Sequence, residues 1–345
     1  MNSVKMRKDP ILLTGVYRSG TTILSCMLDA HPKINFTYGS VNYLRWFVKK
    51  NVSPVNYKDI VLETQSRLQK RFEKAIDYEK IVNLIESSKE EISHGLIYSS
   101  IMQGFFDFSE KMLGERILLE WTNIPAFLEM YPDGKVLHII RDPRDVLASY
   151  KGMTWESGNR YLDAIFACMD SMDYCIRYKK TLPKSNYYAI SYESLVRNPQ
   201  SELKNICAML GVEYSEKMMD KSRYKDERGD KFNYSSHSSY SDNKKKRSGR
   251  WRDQLSDSDL SFLEGLLHKQ LSDFGYDDIS GIGEPIKNFL STIENEDLLK
   301  SRLLHYLETG RGCEEFPSDS TKEENWTVLG EKNKNASSLY LRNKK

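Results

Sequence analysis

The chain has 345 residues, 39% hydrophobic and 29% charged, and its 51 basic against 49 acidic side chains leave a formal charge of +2. That length supports one large core with room for an added segment, and a mean hydropathy of −0.60 is that of a soluble globular protein. The near balance of charge excludes a general nucleic-acid binder, and no window approaches the ~18 apolar residues of a membrane helix.

The first predicted strand begins at Ile11 and runs to Tyr17, where the apolar sequence breaks into Tyr17-Arg18-Ser19-Gly20. Thr21, Thr22 and an apolar segment at helical spacing follow, so the order is strand, tight loop, helix N-terminus. Backbone N–H groups and the positive end of the helix dipole converge in such a loop, which makes it an anion site. Gly15 and Gly20 have the spacing of a Walker A loop, G-x-x-x-x-G-K-[ST], but Thr21 stands where the lysine belongs. The cation has moved inside the loop, to Arg18. A loop offering one arginine and two hydroxyls suits a smaller terminal oxyanion, such as a sulfuryl group, better than a nucleoside triphosphate.

Residues 41–113 are mostly helical in pattern and form an insertion between the first and second core strands. Tyr43, Trp46, Phe47, Tyr98, Phe105 and Phe106 lie in it at spacings expected of helix packing, with acceptor recognition as the competing reading. The second strand is expected over Ile117–Trp121, followed by the cap-and-proline sequence Thr122-Asn123-Ile124-Pro125. The third spans Lys135–Ile140 and ends on Arg141-Asp142-Pro143-Arg144-Asp145, where Asp142 caps a helix and Pro143 suits its first turn. The fourth is Tyr187–Ser191. Residues 225–250 lack apolar periodicity and read as a loop, 257–274 return to helical spacing, and the polar sequence from about 313 predicts a frayed or disordered tail. Strands alternating with helices predict an α/β fold: a P-loop NTPase-like three-layer α/β/α architecture, with a central parallel sheet and the helical insertion. The main domain is expected over 1–282, with 283–345 a C-terminal helical extension and tail. The loop ends of the first three strands should open towards one edge, where ligands of such sheets bind.

GVYRSGTT followed by ILSCMLDAHP resembles the 5′-phosphosulfate-binding loop and first helix of the sulfotransferases, which use 3′-phosphoadenosine 5′-phosphosulfate (PAPS). The Arg-Ser-Gly-Thr-Thr form is most similar to the tyrosylprotein and carbohydrate branches. The resemblance covers about residues 10–275 and implies sulfuryl transfer to a hydroxyl or amine, the acceptor being a small molecule, a carbohydrate or a peptide. It implies that Arg18, Ser19, Gly20, Thr21 and Thr22 hold the 5′-phosphosulfate and that Arg141 with Ser149 holds the 3′-phosphate. A guanidinium fork binds a phosphate bidentately and a hydroxyl completes its shell, whereas an Arg141 paired only with Asp142 or Asp145 would be structural. Tyr192, in the Tyr187–Val196 segment, would lie against adenine. Lys244, Lys245 and Arg247 resemble the late basic loop that closes over the 3′-phosphate, although Lys246 replaces the glycine expected before Ser248. No metal is required by this scheme.

Neither base used in the family stands at its expected place. Lys33–Asn42 contains no carboxylate, and Trp121-Thr122-Asn123 replaces the Lys-Thr-His run of cytosolic members. Glu120, at the expected end of the second strand, is the substitute candidate for the proton acceptor, with a structural ion pair, for instance to Arg18, as its alternative. His94 is a more distant candidate, and His138 sits mid-strand as a core residue. A P-loop kinase and an inactive nucleotide-binding module remain as the other readings. The polar N-terminus reads as lacking a signal peptide, unlike the anchored Golgi members, and the five cysteines (26, 168, 175, 207, 313) read as buried free thiols. Both point to the cytoplasm.

Overall fold

The computed structural model describes residues 10–152, 158–226, 229–232, 248–276 and 293–313. Its centre is a parallel sheet of β1 (Ile11–Gly15), β2 (Ile34–Thr37), β3 (Met112–Arg116), β4 (Lys135–Ile140) and β5 (Tyr187–Ser191), in the order β2-β3-β1-β4-β5. Registers run Leu13 beside Arg116 and Gly15 beside Ile139. β1 is buried along its whole length because helices cover both faces, which is why it reads as an unbroken apolar run rather than an alternating one. The period of two survives in where the side chains go. Leu12, Val136 and Ile140 join one core, Ile11, Leu13, Leu137 and Ile139 the other.

The Ile11 face is covered by α1 (Thr21–Asp29), α8 (Tyr192–Arg197) and α9 (Pro199–Leu210). The opposite face carries α5 (Ile124–Met130), α6 (Pro143–Lys151) and α7 (Ala164–Thr181), with α10 (Trp251–Gln254) and α11 (Asp257–Asp273) beyond. The insertion contributes a π-helical turn (Leu44–Val48), α2 (Tyr57–Phe72), α3 (Tyr78–Glu86) and α4 (His94–Phe105). Tyr43, Trp46, Phe47 and Tyr98 are buried there, Tyr43 stacking on Tyr98 with ring centroids 4.9 Å apart. This is the packing reading of those aromatics.

Two elements differ from expectation. β2 was not foreseen, and the insertion therefore joins β2 to β3 rather than the first core strand to the next. The second core strand lies at Met112–Arg116, not Ile117–Trp121. Ile117 and Leu119 still donate backbone bonds to Leu13 and Gly15 of β1, but Leu119 takes a left-handed φ of 59° and the chain leaves the ladder. Glu120 consequently lies past the strand, at the entry to a single 3-10 turn (Trp121–Asn123). Beyond the expected boundary at 282, α12 (Asp297–Thr309) packs on residues 160–163.

Candidate active site

The loop between β1 and α1 is shaped by two glycines. A Cβ on Gly15 would stand 2.7 Å from the carbonyl oxygen of Ile139, so β4 approaches only because there is none. Gly20 has φ 96°, and a Cβ there would collide with the Tyr192 ring. Between them Arg18 takes φ 67°, a left-handed conformation that costs a non-glycine residue ~1 kcal/mol or more. Ser19 is buried, and its hydroxyl and amide both donate to the carbonyl of Val16, closing the turn. Thr21 and Thr22 open α1, whose N-cap Gly20 supplies no side-chain cap, so backbone donors and the dipole face the loop.

The second constellation meets the first. Arg141, at the end of β4, donates from Nη1 to the carbonyl oxygen of Arg18 at 2.7 Å. Its guanidinium lies 4.3 Å over the Tyr192 ring, and its Nη2 is 3.9 Å from the Asp145 carboxylate. It is a buried arginine, not a surface ion pair. Asp142 caps α6 through Arg144 N, and Pro143 occupies the first turn, as anticipated. Two turns along α6, Ser149 accepts from Arg18 Nε at 3.0 Å. Arg18, Ser19, Gly20, Thr21, Thr22, Arg141, Ser149 and Tyr192 are thus gathered at one edge of the sheet. Lys244, Lys245 and Arg247 lie outside the described residues. Just beyond them, Gly249 N and Trp251 N donate to Asp145 at 2.8 and 3.2 Å.

Glu120 is fully buried. Arg45 Nε donates to its Oε1 at 2.9 Å and Asn123 Nδ2 to its Oε2 at 2.6 Å, while its amide bonds Thr14. The ion-pair partner is Arg45 of the insertion. His94 Nδ1 pairs with the Tyr43 hydroxyl at 2.9 Å, and desolvation lowers its pKa. His138 lies in the core between Tyr187 and Ser171, and burial pushes it down to about 3.

Two neighbours on β3 were not anticipated. Arg116 Nη1 donates to Thr22 Oγ1 at 2.7 Å and Nη2 to the Tyr38 carbonyl at 2.8 Å. Glu115 accepts from Val41 N, Asn42 N and the Tyr98 hydroxyl, fixing the chain after β2. The available signal was a charged Glu-Arg pair directly before the apolar run at 117, at the edge where strand ends converge.

The family model described as "Sulfotransferase family" matches residues 10–216. A putative protein-tyrosine sulfotransferase of Caenorhabditis briggsae is 23% identical over 227 residues, covering 61% of this chain and 68% of that protein. Protein-tyrosine sulfotransferase A of Caenorhabditis elegans is 23% identical over 215 residues, and the match spans 61% of this chain but only about half (51%) of that protein. Among solved structures, the sulfotransferase domain of the Synechococcus PCC 7002 olefin synthase superposes with a TM-score of 0.52 at 18% identity, over 79% of this chain and 97% of that domain. The kinase reading is not favoured, since Thr21 occupies the Walker lysine position in a chain matched by this family. The chain belongs to the sulfotransferase family, and it is an enzyme that moves a sulfuryl group from PAPS to an acceptor.

Proposed function

We propose that the acceptor is a hydroxyl on a peptide or protein, and that the loop-and-α6 edge is where donor and acceptor meet. The two nematode relatives support the peptide acceptor. The observation that carries the donor site is the Arg18–Ser149 hydrogen bond, which puts both anion-binding groups within reach of one bisphosphorylated nucleotide. The surroundings fit such a ligand: the donors are arginines, hydroxyls and backbone N–H groups, and the glycine at position 20 leaves α1 without a side-chain cap.

When bound, PAPS supplies the sulfuryl group and its bisphosphate is the leaving group. Gly20 N–H, with the Thr21 and Thr22 hydroxyls, would hold the 5′ end, while Ser19 would shape the loop through its bonds to Val16. Arg18 would exchange Ser149 for the sulfuryl oxygens and neutralise charge there. Arg141 and Ser149 would take the 3′-phosphate, with Lys244, Lys245 and Arg247 closing over it. Tyr192 would serve this site from beneath, by supporting Gly20 and Arg141. Glu120 would accept the acceptor's proton, which requires it to give up Arg45 for the incoming hydroxyl. A cytoplasmic setting is proposed with this, supported by the burial of all five cysteines.

Transfer of labelled sulfate from PAPS is the test, with tyrosine-containing peptides set against carbohydrate and small-molecule acceptors. Peptide labelling is expected. PAP binding without transfer to any pool would leave an inactive nucleotide-binding module instead. Glu120→Gln is expected to lower turnover about 100-fold or more with PAP affinity kept, the loss typical of a missing general base. Near-normal turnover would leave Glu120 as the partner of Arg45 alone.

A further inference from the structure

The ends of β4 and β5 lie side by side, with Ile140 paired to Ser191, so Arg141 and Tyr192 leave the sheet as neighbours. The Tyr192 ring lies under the Arg141 guanidinium. The next side chain, Glu193, takes hold of the Arg141–Asp142 peptide, its Oε1 accepting from Asp142 N at 3.0 Å. Its Oε2 accepts the Ser191 hydroxyl at 2.9 Å and the Tyr276 hydroxyl at 3.0 Å.

Tyr276 comes from the far end of α11. That helix ends at Asp273, Gly275 takes the left-handed φ of 73°, and Tyr276 N returns to the carbonyl of Leu271 at 2.9 Å. This is the glycine-terminated helix end that reverses the chain. Tyr276 is then tied twice to the end of β4. Its hydroxyl reaches Glu193, and its carbonyl accepts from Arg144 Nη2 at 3.4 Å. Arg144 in turn grips the Asp142 carboxylate through Nε and Nη2, each at 3.0 Å. Burial and the Glu193 charge push the Tyr276 pKa up, so the phenol keeps its proton and donates. Without that donor, Oε2 of Glu193 would keep only the Ser191 hydroxyl from two residues away, and the carboxylate could turn off Asp142 N.

We infer that Tyr276 is a positioning residue for the 3′-phosphate: through Glu193 it fixes the peptide that carries Arg141, and with it the aim of the guanidinium. This rests on the donor site proposed above. The family model ends at residue 216, so the brace comes from a part of the chain outside that match. The 5′ loop is closed by its own bonds from Ser19 to Val16. The effect of Tyr276 therefore belongs to the 3′ end of the nucleotide.

Calorimetric titration with two probes decides it: PAP, and adenosine 5′-phosphate, which lacks the 3′-phosphate. The proteins are the parent chain, Tyr276→Phe, Arg141→Gln and the double variant. Tyr276→Phe removes only the hydroxyl. It is expected to weaken PAP about fivefold, roughly the value of one hydrogen bond, and to leave adenosine 5′-phosphate unchanged within about twofold. In the Arg141→Gln background the same change should add no more than about twofold, because the group it aims is gone. Should Arg141→Gln fail to fold, Glu193→Gln takes its place in the double variant with the same expectation, since Tyr276 acts through that carboxylate. Unchanged PAP affinity in Tyr276→Phe, equal weakening of both nucleotides, or independent multiplicative losses would overturn the inference and leave Tyr276 as the closing residue of α11 alone. A parent chain that binds both nucleotides equally overturns the 3′-phosphate site itself, and this inference with it.

Discussion

Glu115 is a heavily committed carboxylate near the site. Its Oε1 accepts two backbone N–H groups, from Val41 at 2.8 Å and Asn42 at 2.7 Å, and its Oε2 accepts the Tyr98 hydroxyl at 2.7 Å. Burial outweighs those bonds and pushes its pKa up to about 7 from an ordinary 4.5. Nearby Arg67 holds the carbonyls of Ser40 and Val41 and is itself pushed down by burial, to about 9. The folded chain therefore keeps a proton that the unfolded chain releases between those two values. Its contribution to stability is complete below about pH 4.5 and is lost as pH rises through 7, about 3 kcal/mol at most. Glu115→Gln is expected to flatten that slope. The amide oxygen can still accept both N–H groups, and its NH₂ can donate to the Tyr98 oxygen. His138 biases the profile the other way, because its lowered pKa costs stability as pH falls below 6.5. The test is thus the difference between variant and parent in urea unfolding from pH 5 to pH 8. An identical slope in both would show that Glu115 does not titrate with folding.

At the level of elements, α6 links two parts of the site. Asp145 lies in its first turn, where the dipole favours a carboxylate, and accepts from Gly249 and Trp251 beyond the basic segment. The helix that carries Ser149 thereby also tethers the chain next to Lys244–Arg247. Asp145→Ala leaves two backbone donors without their acceptor, a cost of about 1–3 kcal/mol each where they stay buried. PAP affinity is expected to fall about fivefold with it, roughly the value of one neutral hydrogen bond, and less in Asp145→Asn, whose oxygen still accepts. Unchanged affinity in Asp145→Ala by calorimetry would separate the tether from nucleotide binding. Elements with strong local grammar were legible in the sequence: the Gly15–Gly20 loop, the Asp142-Pro143 cap, and α9 ending on Gly211 at φ 72°. β2 was not, because Ile-Asn-Phe-Thr is too short to show a period. β3 was displaced by five residues because Met-Leu-Gly-Glu-Arg reads as polar. Its Glu and Arg are buried by virtue of Tyr98, Val41, Thr22 and Tyr38, which the chain brings from 17 to 94 positions away. The same blindness hid Arg45 as the partner of Glu120. No local pattern announces a long-range polar contact.

Across the whole molecule, residues 293–313 sit on the sheet's helical layer. The Glu296 carboxylate accepts Asn159 N at 2.9 Å, Arg302 Nε pairs with Asp163 at 2.9 Å, and Cys313 N bonds the carbonyl of Phe166. Leu299 is fully buried, while Leu304 and Leu307 lie outward. Gly312 runs so close to Phe166 and Asp170 that a Cβ there would overlap the Phe166 carbonyl. These contacts fall on Asp163 and the start of α7, the helix whose Ser171 and Asp170 support His138 and Trp121 under β4. A chain ending at residue 292 exposes that surface and leaves Asp163, itself nine-tenths buried, without Arg302. One buried leucine is worth ~2 kcal/mol and the partly shielded ion pair ~1 kcal/mol or more. At ~2–4 °C per kcal/mol, the truncated chain is expected to melt about 6–12 °C lower by circular dichroism. Arg302→Ala alone should account for a minor share of it. Because the contacts reach α7 rather than the anion loop, PAP affinity measured well below the melt is expected to stay within about threefold of the parent value, a difference under 1 kcal/mol. An unchanged melting temperature would show that 293–313 adds nothing to the stability of the catalytic body. A lost affinity with an unchanged melt would instead bring the extension into the site itself.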